Sequence, residues 1–161
     1  MPLRARRLAA ILSLSVLGFG LMGDLAVRAE DAKPAAAASD DDDKPYKIID
    51  GKIDFGTFNG YRRFGDNCAR CHGETADGSS FAPSLVDRLK TFGYDHFTEV
   101  VINGKTENVG GVQYVMPSFG NNPDVAENID DIYAWVKGRS DGAIKPGRPD
   151  HLDKADPRNN K

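Results

Sequence analysis

Cysteine is almost absent from this chain: the 161 residues include two, Cys68 and Cys71, both inside the stretch "NCARCHG" at residues 67 to 73. With no third thiol there is no disulfide network to hold a small fold together. Basic excess is missing too, since 21 Lys and Arg face 24 Asp and Glu. That balance excludes nucleic acid and anionic membrane as natural partners. No apolar run after residue 29 is long enough to span a bilayer, so stable membrane insertion is not expected. Internal repeats are lacking, and no segment alternates apolar and polar residues long enough to predict a strand.

What is present begins with a targeting segment. Arg4, Arg6 and Arg7 precede an apolar run from about Leu8 to Met22, and Val27 and Ala29 suit a signal peptidase cutting before Glu30. Residues 1–29 therefore read as a signal peptide, with an uncleaved anchor as the alternative, and the expected location is the periplasm. Removing them takes away four Arg and one Asp and makes the remainder more acidic. Residues 30–45, "EDAKPAAAASDDDDKP", form an Ala-rich and then acidic leader with no apolar residue larger than alanine, expected to be disordered. Residues 46–142 are the expected folded domain, and 143–161 an extended or disordered tail rich in Pro, Gly, Asp and Lys.

Within the domain the apolar spacing is helical. In "NPDVAENIDDIYAWVKGRS", Val125, Ile129, Ile132, Tyr133 and Val136 make one stripe, with Asn122 as cap and Pro123 at the first helical position. "YDHFTEVVINGK" predicts a second helix, capped by Asp95, with Phe97, Val100 and Val101 on one face and Asn103-Gly104 as its stop. A short helix follows Pro83, and a fourth runs from about Thr57 into the cysteines. The fold class is all-α with long connections, and loops of that length in a small domain usually wrap something.

Two thiols and an imidazole within five residues fit three chemistries: a dithiol redox pair, part of a zinc site, or a c-type haem attachment. No predicted strand leads into Cys68, as a thioredoxin-like dithiol would need. Zinc would take Cys68, Cys71, His72 and a fourth ligand such as His96, without the usual fixed spacing of a second pair. Haem attachment uses every residue of the motif. On a helical turn Cys68 and Cys71 share one face for two thioether bonds, and His72 follows to present its imidazole to iron. Past residue 29 the one methionine is Met116, in "YVMPSFG", where Pro117 stiffens the backbone just after the sulfur. It is the candidate sixth ligand; the plainer reading is a gap-filling core methionine. A His/Met pair closes the iron and suits electron transfer without substrate binding. His96 and His151 are rival ligands with no spacing argument behind them.

These residues resemble the class I cytochromes c. "GYRRFGDNCARCHG" carries Gly60 and Phe64 ahead of Cys68 as in that family's N-terminal helix, and "IYAWVK" is similar to its C-terminal helix. The resemblance implies a small helical domain wrapped around one covalently bound haem c. Gly60 would allow a close helix crossing, Phe64, Ile132 and Trp135 would pack around it, and the Pro83 carbonyl would accept a hydrogen bond from His72. The segments "DGKIDFGTFNGYRRFGDNC", "GSSFAPSLVDRLK", "MPSFG" and "DDIYAWVKGRSDGAIKPGRP" further resemble the cytochromes c of methylotrophic bacteria, cytochrome c-L and its smaller relatives. That implies a monomeric, non-enzymatic periplasmic carrier of single electrons. It would accept from a quinoprotein methanol or alcohol dehydrogenase using pyrroloquinoline quinone (PQQ), and pass to a downstream cytochrome or oxidase. A general shuttle to a terminal oxidase, and an open-site haem enzyme or sensor, are the alternatives.

Overall fold

A computed structural model of the chain describes residues 43–160. The expected signal segment and nearly all of the expected leader lie outside the described residues. The elements run β1 (Ile48–Ile49), β2 (Lys52–Ile53), α1 (Phe55–Asn67), α2 (Ala69–His72), α3 (Leu85–Arg88), α4 (Tyr94–Asn103), β3 (Lys105–Val109), β4 (Val112–Met116), α5 (Pro123–Ala126), α6 (Ile129–Ser140) and a closing 3-10 turn, Pro157–Asn160. No helix among the described residues is long and apolar enough to cross a membrane.

The centre of the fold is the crossing of α1 and α6. Asp54 starts α1 by accepting from the Thr57 amide at 3.0 Å and the Thr57 hydroxyl at 2.6 Å, which satisfies donors that a helix start leaves open. One turn later Gly60 meets α6 directly. A Cβ at this position would lie 1.8 Å from the Asp131 carbonyl oxygen, so only glycine permits the approach. Asn59 beside it donates to both Asn128 Oδ1 and Asp131 Oδ2, each at 2.8 Å, which fixes the register of the two helices. Phe64, 1% exposed, then packs on Trp135 with ring centroids 4.6 Å apart. Burying a side chain of that size contributes about 1.5–3 kcal/mol.

The long C-terminal stripe is divided. Asn122 caps α5 as expected, accepting from the Asp124 amide, but the helix stops at Ala126 and α6 begins afresh at Ile129. α3 also begins on a capping serine, Ser84, whose hydroxyl accepts from the Asp87 amide. The expected Asp95 cap of α4 is not formed: Gly93 holds the cap position and Asp95 lies in the first turn. Its stop is as expected, with Gly104 at φ 75°.

The strands correct the sequence-based expectation of none. β3 and β4 pair antiparallel from Lys105↔Met116 to Val109↔Val112, closed by Gly110 and Gly111 at φ 60° and 82°. Positive φ at both turn residues is the geometry that matches strand twist in a two-residue hairpin. Both strands are exposed apart from half-buried Met116, so no buried face imposes alternation on their sequence. The helical class nevertheless describes the domain, because the hairpin hangs from its edge rather than forming its core.

The segment after residue 142 is extended and packed. Ile144 and Leu152 are buried, and Leu152 donates its amide to the Ile53 carbonyl at 2.9 Å while Ile53 donates to Asp150. His151 stacks flat on Phe58, centroids 3.4 Å apart. Asn159 Oδ1 accepts from the Phe55 amide at 2.9 Å, taking one further open donor at the start of α1. At the other boundary Tyr46 is 1% exposed and its hydroxyl donates to Asp141.

Candidate functional site

Cys68 closes α1 and opens α2, so the motif occupies a single turn: the amides of Cys71 and His72 both donate to the Cys68 carbonyl, at 3.1 and 3.0 Å. This places the thiols at 68 and 71 on one side of the chain and turns the next residue inward. Cys71 is exposed, Cys68 half-buried, and His72 only 7% exposed. The His72 ring is oriented by a bond from outside the motif, with Nδ1 3.0 Å from the Pro83 carbonyl oxygen. A carbonyl can only accept, so Nδ1 carries the proton and Nε2 keeps its lone pair. Burial holds the imidazole below its ordinary pKa, opposed by the Pro83 bond, and the neutral ring is the ligand form.

All three motif residues line one cavity of about 300 Å³. Its wall is mainly apolar, with Phe64, Leu89, Phe97, Val101 and Ile132 at the inner side. Met116 reaches the same cavity from the end of β4, half-buried against the core. Its approach depends on Gly104, where a Cβ would lie 2.7 Å from the Met116 carbonyl oxygen and φ is already positive. A soft thioether, a buried neutral imidazole and two thiols therefore share one apolar chamber.

The rivals are placed differently. Burial, and next the neighbouring Cys71, push the Cys68 thiol up to about 12, opposite to the lowered thiol pKa on which dithiol redox pairs depend. α1, not a strand, leads into it. Among the described residues no group of three or more His, Cys, Asp or Glu side chains gathers around a common metal position, so the alternative zinc set with His96 is not assembled. His96 does reach the cavity wall, set edge-on against Phe92 at 4.5 Å and 3.8 Å from Glu99. His151 is spent on Phe58.

Sequence reasoning passed over Phe81, Phe92 and Tyr114 as parts of the wall. For Tyr114 the available signal was the Gly110-Gly111 pair, which folds β4 back alongside β3. Phe81 and Phe92 stand in irregular chain, and no periodicity marks them.

Comparison with known proteins agrees with this geometry. The family described as cytochrome C oxidase, cbb3-type, subunit III matches residues 58–136. The chain is 44% identical over 105 residues to cytochrome c-553I of Paracoccus denitrificans, covering 65% of this chain and 46% of that one. It thus spans about half the length of that relative. It is 41% identical over 96 residues to cytochrome c-555 of Methylococcus capsulatus, covering 59% of this chain and 72% of the relative. Among solved structures, the c-type cytochrome XoxG from Methylobacterium extorquens AM1 superposes with a TM-score of 0.62 at 36% identity, covering 71% of this chain and 70% of that one.

Proposed function

The chain belongs to the class I c-type cytochromes, and from that premise we propose that its cavity holds one covalently bound haem c and that the protein carries single electrons in the periplasm. The observation that carries this reading is the convergence on one apolar chamber of Cys68, Cys71, Met116 and a His72 whose outer nitrogen is already committed to Pro83.

The chain's own residues have distinct tasks. Cys68 and Cys71 would hold the group through two thioether bonds, each thiol adding across one vinyl group with sulfur to one carbon and hydrogen to the other. His72 would offer its free Nε2 lone pair and Met116 its sulfur as ligands to the iron, a donor pair that suits electron transfer rather than substrate binding. Pro83 fixes the tautomer and ring plane of His72. Phe64, Leu89, Phe97 and Ile132 keep water from the inner wall and lower the local dielectric, which helps to set the potential. The bound group would supply one-electron iron chemistry; no bond in a substrate is made or broken.

The donor proposed is a periplasmic quinoprotein methanol or alcohol dehydrogenase, and the acceptor a further cytochrome or an oxidase. Support comes from the flanking segments that resemble the cytochromes c of methylotrophs, and from the likeness to XoxG along most of both chains. The test is an optical spectrum of protein matured in the periplasm. Low-spin c-type bands in the reduced form and the weak far-red thioether band in the ferric form are expected. A high-spin haem would favour the open-site reading, and a colourless protein would overturn the assignment. Reduction of the purified protein by a quinoprotein dehydrogenase then tests the donor.

A further inference from the structure

The Pro83 carbonyl that orients His72 stands in an irregular segment, residues 73–84, with no regular element of its own to hold it. Besides its bonds to the motif itself, such as the Gly78 amide to the His72 carbonyl at 2.8 Å, that segment is braced by the C-terminal end of α6. Arg139 is buried, its side chain 6% exposed, and its guanidinium bonds three acceptors at once: Nε to the Thr75 carbonyl at 3.1 Å, Nη2 to Asp77 Oδ2 at 3.1 Å and Nη1 to the Ile144 carbonyl at 2.9 Å. The next residue, Ser140, donates from Oγ to the Val86 carbonyl at 2.6 Å. The segment bearing Pro83 is therefore clipped on both sides, at residues 75 and 77 before it and at residue 86 after it. The two limbs are tied to each other, since the amide of Leu85 donates to the Ala76 carbonyl at 2.9 Å.

A buried guanidinium is a costly way to obtain stability. Its one anionic partner, Asp77, is 53% exposed, and desolvating a cation carries a penalty that an apolar side chain of similar volume would avoid. What a guanidinium offers instead is a rigid planar fork that sets three acceptors at fixed distances, which neither an apolar residue nor a lysine can do. We propose that Arg139 and Ser140 are positioning residues: by clamping residues 75–86 they hold the Pro83 carbonyl at hydrogen-bonding distance from His72 Nδ1, and so adjust how strongly His72 donates to the iron. This rests on the haem reading above. A firm Nδ1–H to carbonyl bond makes the imidazole a better donor and favours the ferric state, so loosening the clamp shifts the potential upward.

The experiment uses the haem-loaded full chain and compares wild type with Arg139→Lys, Arg139→Met, Ser140→Ala and Asp77→Asn. Three quantities are read: solvent exchange of the His72 Nδ1 proton by NMR of the reduced form, the midpoint potential, and the thermal midpoint. Both Arg139 variants should speed exchange about tenfold or more and move the potential upward, Lys failing to rescue because its donors share one nitrogen and cannot span acceptors that Arg139 reaches from three. Ser140→Ala and Asp77→Asn should move both readouts the same way by less. Unchanged exchange and potential alongside a lowered thermal midpoint would make the cluster merely structural and overturn the proposal. If the Arg139 variants do not retain haem, Ser140→Ala, which removes one bond, and Asp77→Asn, which keeps an accepting oxygen but removes the charge that strengthens another, decide between the same two outcomes. A wild-type protein without haem would overturn the parent reading and this one with it, whereas a haem-loaded wild type with silent variants overturns this one alone.

Discussion

Gly60 of α1 stands against the backbone of Asp131 in α6 so closely that a single added methyl carbon would lie 1.8 Å from the Asp131 carbonyl oxygen. The neighbouring atom is backbone in the middle of a helix contact and cannot rotate away. Gly60→Ala must therefore separate the two helices, pulling Phe64 off Trp135. Overpacking of this severity should cost about 3 kcal/mol, the upper end of the usual range. Urea unfolding should show it, with Gly65→Ala, where nothing lies within 4 Å, close to neutral.

Met116 and Gly104 form a second pair on which a prediction turns. On the proposed ligation, Met116→Ala leaves the protein folded and haem-bound but without the far-red thioether band. Its potential should fall by a sizeable part of the roughly 0.8 V that axial ligands control. Gly104→Ala, which pushes a Cβ into the Met116 and Pro117 backbone, should weaken the same band with the sulfur still present. Gly93→Ala, which meets nothing within 4 Å, should leave the spectrum untouched. A band that survives Met116→Ala would remove Met116 from the iron.

The C-terminal strap should matter to stability. Leu152 is 1% exposed and its backbone pairs with Ile53, so Leu152→Ala should cost about 2–5 kcal/mol, the range for a buried leucine cut to alanine. Lys154→Ala, on the exposed side of the same segment, should cost little. Thermal denaturation of the two variants checks the contrast.

Asp156 gives a pH signature. Its carboxyl is drawn down to about 2 from an ordinary 3.8 by the side-chain and then the backbone hydrogen bonds of Arg158. A folded-state pKa below the unfolded one means the stabilising contribution is complete above the unfolded value and lost as pH falls through the folded value. The difference in thermal midpoint between wild type and Asp156→Asn should accordingly be constant from neutrality to about pH 5, and shrink between 3.8 and about 2. Direct NMR titration of the carboxyl supplies the same answer independently.

Much of the domain is legible in the chain because helices declare themselves locally. Asn122 before Pro123, the stop at Gly104 and the apolar stripe from Ile129 to Val136 each act within a turn or two, and the structure has all three. The hairpin was not legible in this way, since β3 and β4 bury no common face and the period-two pattern had no cause to exist. Its trace is the Gly110-Gly111 pair. The strap from Ile144 to Asn159 reads as polar linker by composition, and only the two apolar residues Ile144 and Leu152 mark where it docks. Arg139 offers no signal at all, because a basic residue in the last turn of a helix is ordinarily a solvated one that favours the helix dipole.

By itself, the sequence determined the chemistry that one helical turn can assemble: two thiols and an imidazole spaced 68, 71 and 72 must share a turn wherever that turn is placed. The tertiary structure decided what surrounds them. Pro83 comes to His72 across 11 residues, α6 clamps the segment between them, and Met116 arrives on a hairpin held by Gly104. Spacing along a helix is set by backbone geometry, whereas contacts between separate segments depend on which surfaces the whole chain can bury together.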